Sequence, residues 1–291
     1  MKKYSNLGDL LIDYRRLNTV SQHDFAAKLD VDVRTVQRWE KNITLVKIEK
    51  EADLVDITFL PHQLIRNLNT PVPIPTFYDF SIRKYSLSEL TNKLPDVNAI
   101  KEGLDLATDQ IRKIDIQNDL PLVNRYIQNQ YIPKNVIPQN VLEQAIMLLP
   151  ELNILLVDLT ASYAGHHIAL PISQQAYNKL RARTLFNSEL QLSDLVDYRS
   201  QETPIFYSYS ITADSNNGVH YIIAAALKFF RNLNLKDYQY CSTTNRHDSL
   251  IVNSALGLKT VWEEEQGSYQ NQKFNPIRFL EGNLNEFLFD K

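Results

Sequence analysis

A single cysteine, Cys241, stands in 291 residues, so no internal disulfide can form and a reducing compartment, the cytoplasm, is the expected setting. Long apolar runs are missing too. The most apolar stretch, IMLLPELNILLVDLT, is cut by Pro150, Glu151, Asn153 and Asp158 well short of the roughly 20 residues a membrane helix needs. The opening MKKYSNLGDLLIDY has two lysines, but Asp9 and Asp13 break its apolar segment, which excludes a secretory signal. Neither charge dominates, with 31 basic and 34 acidic residues and a net charge of −3. What is present is apolar material: 44% hydrophobic against 22% charged residues leaves room for a sizeable core and excludes disorder over most of the chain.

The charge is unevenly spread. Residues 1–69 hold 11 basic and 10 acidic residues, and Tyr14–Lys50 holds 8 against 5, a net of +3, so only this part suits phosphate groups. That excess is modest for a surface that must neutralise several phosphates, and two copies would double the contacts.

Within it, Ser21–Asn42, SQHDFAAKLDVDVRTVQRWEKN, reads as two short helices joined by a tight turn. Ser21 caps the first, with Asp24 three residues on, and Phe25, Ala26 and Leu29 form its inner stripe. Asp32 caps the second, in which Val36 and Trp39 face inward while Arg34, Thr35, Gln37, Arg38 and Lys41 fall on the outward arc. An amphipathic helix with a solvated basic face is common; this one also carries Arg and Gln, the bidentate readers of guanine and adenine, within two turns of its N-terminus. A preceding helix is expected at Leu7–Leu17, with Leu7, Leu10, Leu11, Tyr14 and Leu17 on one stripe. Ile48, Ala52 and Val55, then Leu60, Leu64, Ile65 and Leu68, predict a fourth and a fifth.

The unit resembles the Xre-type helix-turn-helix of phage repressors and bacterial regulators. Gln22 opens the second helix, Ala26 stands at the helix crossing, Val31 at the turn, Val36 in the third-helix core and Trp39-Glu40 at its end. Asp30 and Asn42 replace the family's usual glycines, and both residue types tolerate a left-handed backbone. The resemblance implies that Gln22 contacts a phosphate and that Val33, Arg34, Thr35, Gln37 and Arg38 face base pairs, with Lys41 on the same arc. It also implies double-stranded DNA as partner and a homodimer on a two-fold site.

Pro71, Pro73 and Pro75 then alternate in TPVPIP, which excludes helix and predicts a short, semi-rigid linker over residues 70–76. The expected organisation is an all-α helix-turn-helix bundle over 1–69, the linker, and an α/β or α+β domain over 77–291. In that domain the pattern predicts helices at Ala99–Ile114, Pro121–Tyr131 and Val141–Leu149, and strands at Ile154–Thr160, Tyr163–Leu170 and Ile205–Ala213. A long helix at Val219–Phe230, a strand at Tyr238–Ser242, a helix at Asp248–Leu256 stopped by Gly257, and a strand at Lys259–Glu264 follow.

This order is similar to the GNAT acyltransferase fold, and Ser254–Glu264, SALGLKTVWEE, looks like that family's closing helix and strand. The resemblance spans Ile82 to Trp262. It implies an acyl-coenzyme A whose pyrophosphate rests on the N-terminus of the long helix, in a loop built on Arg or Gln and small residues. Here the loop is Ser215-Asn216-Asn217-Gly218-Val219-His220, of which Gly218 alone fits, and the family's acidic tyrosine aligns with Asn253. The expectation is therefore a fold that has lost acetyl transfer and kept its pocket or its surface. The leading reading is a DNA-binding transcriptional regulator whose second domain senses a small effector or dimerises; the alternative is an acyl-CoA-dependent N-acyltransferase carrying a DNA-binding domain, and a third is an interaction protein that uses the second domain for assembly alone. Adjacent His166 and His167 point to opposite faces of a strand and cannot share a metal, and Cys241 reads as a packing residue. The apolar tail Phe279, Leu280, Leu284, Phe287 and Leu288 is expected to dock on its own domain or on a second subunit.

Overall fold

The structure is a computed structural model describing residues 1–89, 97–105, 108–233, 235, 237–265, 268–269, 272–273 and 276–289, except the side chains of residues 105, 247, 248, 268, 269, 272 and 273. Two compact units divide it. The first comprises Met1–Lys93, Val157–Ala164 and Ala213–Gly218, and the second Leu94–Leu156, Gly165–Thr212 and Val219–Lys291.

The first unit opens with strand β1 (Lys2–Tyr4), followed by α1 (Leu7–Leu17), α2 (Gln22–Lys28), α3 (Val33–Glu40), α4 (Ile48–Thr58) and α5 (His62–Leu68). Helices of seven or eight residues do not hold themselves in water, so α2, α3 and α5 depend on their caps and inner faces. Ser21 Oγ accepts from Asp24 N at 3.0 Å and Asp32 Oδ1 from Arg34 N at 2.7 Å, each cap contributing about 1 kcal/mol. Leu10, Leu11, Phe25, Val36, Leu54 and Leu64 are wholly buried in one shared core. Asp30 and Asn42 take φ of 52° and 53°, the left-handed turns expected of them. Gly8 lets α1 approach α3, because a Cβ there would stand 2.6 Å from the carbonyl oxygens of Trp39 and Glu40.

Four findings in the first unit differ from the sequence expectation. The helical unit is not all-α: β1 pairs antiparallel with β2 (Thr76–Asp79), which pairs with β3 (Lys84–Ser86). The expected linker ends inside that sheet, since Thr76 begins β2 and pairs with Tyr4, while Ile74 N donates to Asn67 O at 2.8 Å. Helix α4 is rotated from its expected face, with Ile48 71% exposed and Ala52 exposed, whereas Glu51, Leu54 and Thr58 are buried. Glu51 is drawn inward because its carboxylate accepts from Asn69 Nδ2 at 2.8 Å and pairs with Arg66 Nε at 2.6 Å. Leu17, expected on the α1 stripe, is likewise exposed.

The second unit is α/β, as expected. Its elements, of which β5, β6, β7 and α10 begin or end within the residues assigned to the first unit, are α6 (Val97–Glu102), β4 (Ile111–Lys113), α7 (Leu120–Gln130), α8 (Gln139–Leu148), β5 (Ile154–Val157), β6 (Tyr163–Pro171), α9 (Gln174–Arg181), β7 (Ile205–Ala213) and α10 (Asn216–Leu233). Then come β8 (Gln239–Thr244), α11 (His247–Ala255), β9 (Lys259–Glu263), β10 (Ser268–Tyr269), β11 (Gln272–Lys273), β12 (Arg278–Gly282) and α12 (Asn285–Phe289). Strands β10 and β11 form a small hairpin, and the mixed seven-stranded sheet runs β4-β5-β6-β7-β8-β12-β9. The parallel neighbours β7 and β8 are joined by α10, as a crossover requires. Phe230 of α10 seats that helix, with ring centroids 5.2 Å from Phe206 and 5.1 Å from Tyr238.

Ala99–Ile114 is not one helix: α6 ends at Glu102, a short 3-10 turn follows, and β4 occupies Ile111–Lys113, with residues 106–107 outside the described residues. The apolar tail docks within its own unit, β12 inserting between β8 and β9. Gly257 ends α11 at φ 93°, as the sequence requires.

Candidate functional site

Two places in the molecule carry side chains suited to ligands, one in each unit. In the first, α3 presents Arg34, Arg38 and Lys41 to solvent, and none of the three makes an ion pair among the described residues. Thr35 and Gln37 are half-buried, and Val33 is turned toward the helical core and packs against it. Gln22 is already engaged: Nε2 donates to Glu40 Oε2 at 2.6 Å and Oε1 accepts from Gln37 Nε2 at 3.4 Å. Glu40, 7% exposed, also receives Arg15 Nε and, at 3.0 Å, Arg15 Nη2, so one carboxylate joins α1, α2 and α3. Sequence pattern marked the Trp39-Glu40 pair without showing what Glu40 holds.

The second place is a cavity of about 400 Å³ in the α/β unit. It exists because β7 and β8 part. Their parallel pairing runs from Ile205↔Gln239 to Ser208↔Ser242, yet β7 continues to Ala213 and β8 to Thr244. Beyond Ser208 the strands separate, and Ser208, Tyr209 and Ile211 on one side face Tyr240, Ser242 and Thr243 on the other. These residues include both parities along each strand, so the cavity draws on both faces of the sheet. Helix α10 adds Val219, Ile223, Ala226, Leu227 and Phe230, and α11 adds Val252, Asn253 and Leu256. The α10 residues recur at helical spacing, which is why one face of that helix makes a wall.

Polar groups in the lining are few and placed. His167 is fully buried, and its Nε2 lies 2.9 Å from Ser208 Oγ. Its Nδ1, with Ser242 Oγ and Trp262 Nε1, is buried without a hydrogen-bond partner among the described residues. Burial pushes the His167 imidazole down to about 4, so it is neutral at pH 7. Tyr131 and Tyr240 also line the cavity, and burial pushes both hydroxyls up to about 12. Lys134 and Arg183 converge on Glu264, at 3.3 and 3.7 Å, and Arg183 lies 4.9 Å from the Trp262 ring centroid.

His166 and His167 bind different serines, Ser210 at 2.8 Å and Ser208 at 2.9 Å, and no group of metal-ligating side chains occurs among the described residues. Cys241 is buried, and burial raises its thiol well above the usual range, which removes the thiolate a nucleophile needs. Gly218 N donates to Ser215 Oγ at 3.2 Å, so the amide expected to meet a phosphate already has a partner. Asn253 stands in the cavity wall with its Nδ2 3.2 Å from Ser249 Oγ. His167, Ser242, Tyr131 and Tyr240 carry no local motif; only the fold brings them to one cavity lining. No helix among the described residues is long and apolar enough to cross a membrane.

No protein-family model and no curated protein matches the chain. Solved structures similar to it include the GNAT-superfamily phosphinothricin acetyltransferase of Sinorhizobium meliloti in complex with AcCoA, at 11% identity and TM-score 0.39, covering 60% of this chain and 88% of that one. The polyamine N-acetyltransferase of Drosophila melanogaster aligns at 8% identity and TM-score 0.40, over 60% of this chain and 98% of that one. The spermidine/spermine N-acetyltransferase of Vibrio cholerae aligns at 11% identity and TM-score 0.37, over 62% and 95%.

Proposed function

We propose that the α/β unit binds an acyl thioester, coenzyme A being the carrier to test first, and transfers the acyl group to an amine or alcohol. The observation that carries this is the cavity opened where β7 and β8 stop pairing. Parting strands expose backbone groups to which an extended, amide-bearing arm can hydrogen-bond, while the apolar wall takes an acyl group. In the transfer the acceptor's heteroatom attacks the thioester carbonyl, the new carbon–heteroatom bond forms and the carbon–sulfur bond breaks; the leaving thiolate takes a proton from a tyrosine hydroxyl, and the proton released by the acceptor returns to that tyrosinate, so the net products are the ester or amide and the free thiol. Tyr131 and Tyr240 are the donors in reach of the cavity, since both keep their protons at pH 7, and they replace the tyrosine that Asn253 cannot supply. The residues fit the thioester end of such a carrier better than its diphosphate, because Ser215 occupies the amide of Gly218 and no arginine or glutamine precedes it in the loop. Thiol release from acetyl-coenzyme A in the presence of an amine or alcohol panel tests the reading. Release that falls in Tyr131→Phe or Tyr240→Phe supports it; absence of both binding and release overturns it.

A second reading concerns the first unit, and the exposed face of α3 favours it. Arg34, Arg38 and Lys41 project to solvent near the start and end of a helix narrow enough for the major groove, which suits docking on duplex DNA, as two copies on a two-fold site. Arg34→Ala and Arg38→Ala are each expected to cost about 1–3 kcal/mol for the cognate base. Unchanged affinity and sequence preference in both variants would remove α3 as the reading helix.

A further inference from the structure

The floor of the cavity presents a recognition problem that the apolar wall does not solve. Ser208 and Ser242 are register partners on adjacent parallel strands, so their side chains share one face of the sheet. His167 sits beside them through its 2.9 Å bond to Ser208 Oγ. Two buried polar atoms are left over there, His167 Nδ1 and Ser242 Oγ, and a buried polar atom without a partner costs about 1–3 kcal/mol.

We propose that these atoms hold the hydroxyl of an amphiphilic alcohol whose apolar body lies against Ile223, Leu227, Phe230 and Leu256, which makes such an alcohol the acyl acceptor. The inference rests on reading the cavity as the transfer site. The chemistry selects a hydroxyl. Whichever tautomer His167 adopts, its free Nδ1 is one donor or one acceptor, and the serine hydroxyl is both. A ligand hydroxyl, itself donor and acceptor, satisfies either arrangement. A carboxylate only accepts and an ammonium only donates. Charge is disfavoured as well: a charged head set among His167, Ser208 and Ser242, none of them charged at pH 7, would lose its hydration without a counter-charge from these three, and Arg246, also in the lining, acts on Tyr131. Lys134, Arg183 and Glu264, elsewhere in the lining, are engaged with one another.

The test is calorimetric titration of the full chain at pH 7.5 with three probes sharing a ten-carbon body: 1-decanol, decanoate and decylammonium. Decanol is expected to bind at least about tenfold more tightly than either charged probe, and Ser242→Ala and His167→Phe are each expected to weaken decanol by about tenfold while leaving the charged probes unmoved. Ser242→Ala removes one buried oxygen and keeps the strand, so it carries the test if His167→Phe fails to fold. Equal affinity for the three probes, or decanol binding unaffected by a folded Ser242→Ala, overturns the proposal. Its failure is separate from failure of acyl transfer: acetyl-coenzyme A turnover with amines alone would retain the enzyme and remove the alcohol site. Selective decanol binding without any thioester binding would retain the site and remove the transferase.

Discussion

Replacing Glu40 with alanine should loosen the whole helical unit. Its carboxylate accepts from Arg15 of α1 through Nε and Nη2 and from Gln22 of α2 at 2.6 Å, all while only 7% exposed. Removing one partner of a buried ion pair costs about 3–5 kcal/mol, because the other charge is left desolvated. Arg15 retains 15% exposure and a 3.0 Å bond from Nη1 to Val20 O, so the lower end, about 3 kcal/mol, is expected. Glu40→Gln keeps the shape and one acceptor and should cost about 1–2 kcal/mol. The assay is urea denaturation of the full chain, followed by Trp39 fluorescence in a Trp262→Phe background, with Arg15→Ala and the double variant completing a cycle. A coupling energy of about 2 kcal/mol between Arg15 and Glu40 is expected. A cost below about 0.5 kcal/mol for Glu40→Ala would refute the claim that this carboxylate holds three helices together.

Three further outcomes follow from particular residues. Gly8→Ala should destabilise the first unit by about 1–3 kcal/mol, since its Cβ would press on two backbone carbonyls that cannot move independently of α3; an unchanged urea midpoint contradicts the close approach. Asp214 is raised from 3.8 to about 7 by burial, with the charge of Asp158 adding to the rise and Arg83 opposing it. The folded state therefore keeps a proton that the unfolded chain releases, and stability falls as pH rises from about 4 to 7. Asp214→Asn should flatten that slope and gain at most about 4 kcal/mol at pH 8; parallel slopes for variant and parent sink the assignment. Asn153 is wholly buried, donating to Leu149 O at 2.8 Å and Ala169 O at 2.9 Å and accepting from Ala169 N at 3.1 Å. Asn153→Ala should cost the second unit about 3 kcal/mol, measured by thermal or urea unfolding, and a loss under 1 kcal/mol would show that these bonds are replaceable.

The helical unit was legible because its signals are local. Ser21 and Asp32 cap their own helices, and Asp30 and Asn42 mark left-handed turns, all within a few residues of the groups they satisfy. The rotation of α4 was not legible, because Glu51 is drawn inward by Arg66 and Asn69 across 15 and 18 residues of sequence. Strands β1, β2 and β3 are three or four residues long, too short for alternation to register. Periodicity found β7, α10 and β8, and with them the place where a cavity opens. It could not find the cavity itself, because pairing between β7 and β8 ends at Ser208↔Ser242 without any break in either strand's sequence pattern. For the same reason His167 read only as a strand residue that shares no metal with His166, and its burial and leftover nitrogen were invisible. Strand β12 read as an apolar tail because its partners β8 and β9 lie far back in the chain.

The most direct test of the cleft is one titration, acetyl-coenzyme A and then decanoyl-coenzyme A into the full chain, repeated with Ala226→Trp, which places an indole in the apolar cavity wall of α10. Micromolar binding of the thioesters, abolished by Ala226→Trp while the variant's melting temperature stays within a few degrees of the parent, is the predicted result. Binding that survives Ala226→Trp, or no binding by the parent, would contradict the claim that the cleft between β7 and β8 is an acyl-thioester site.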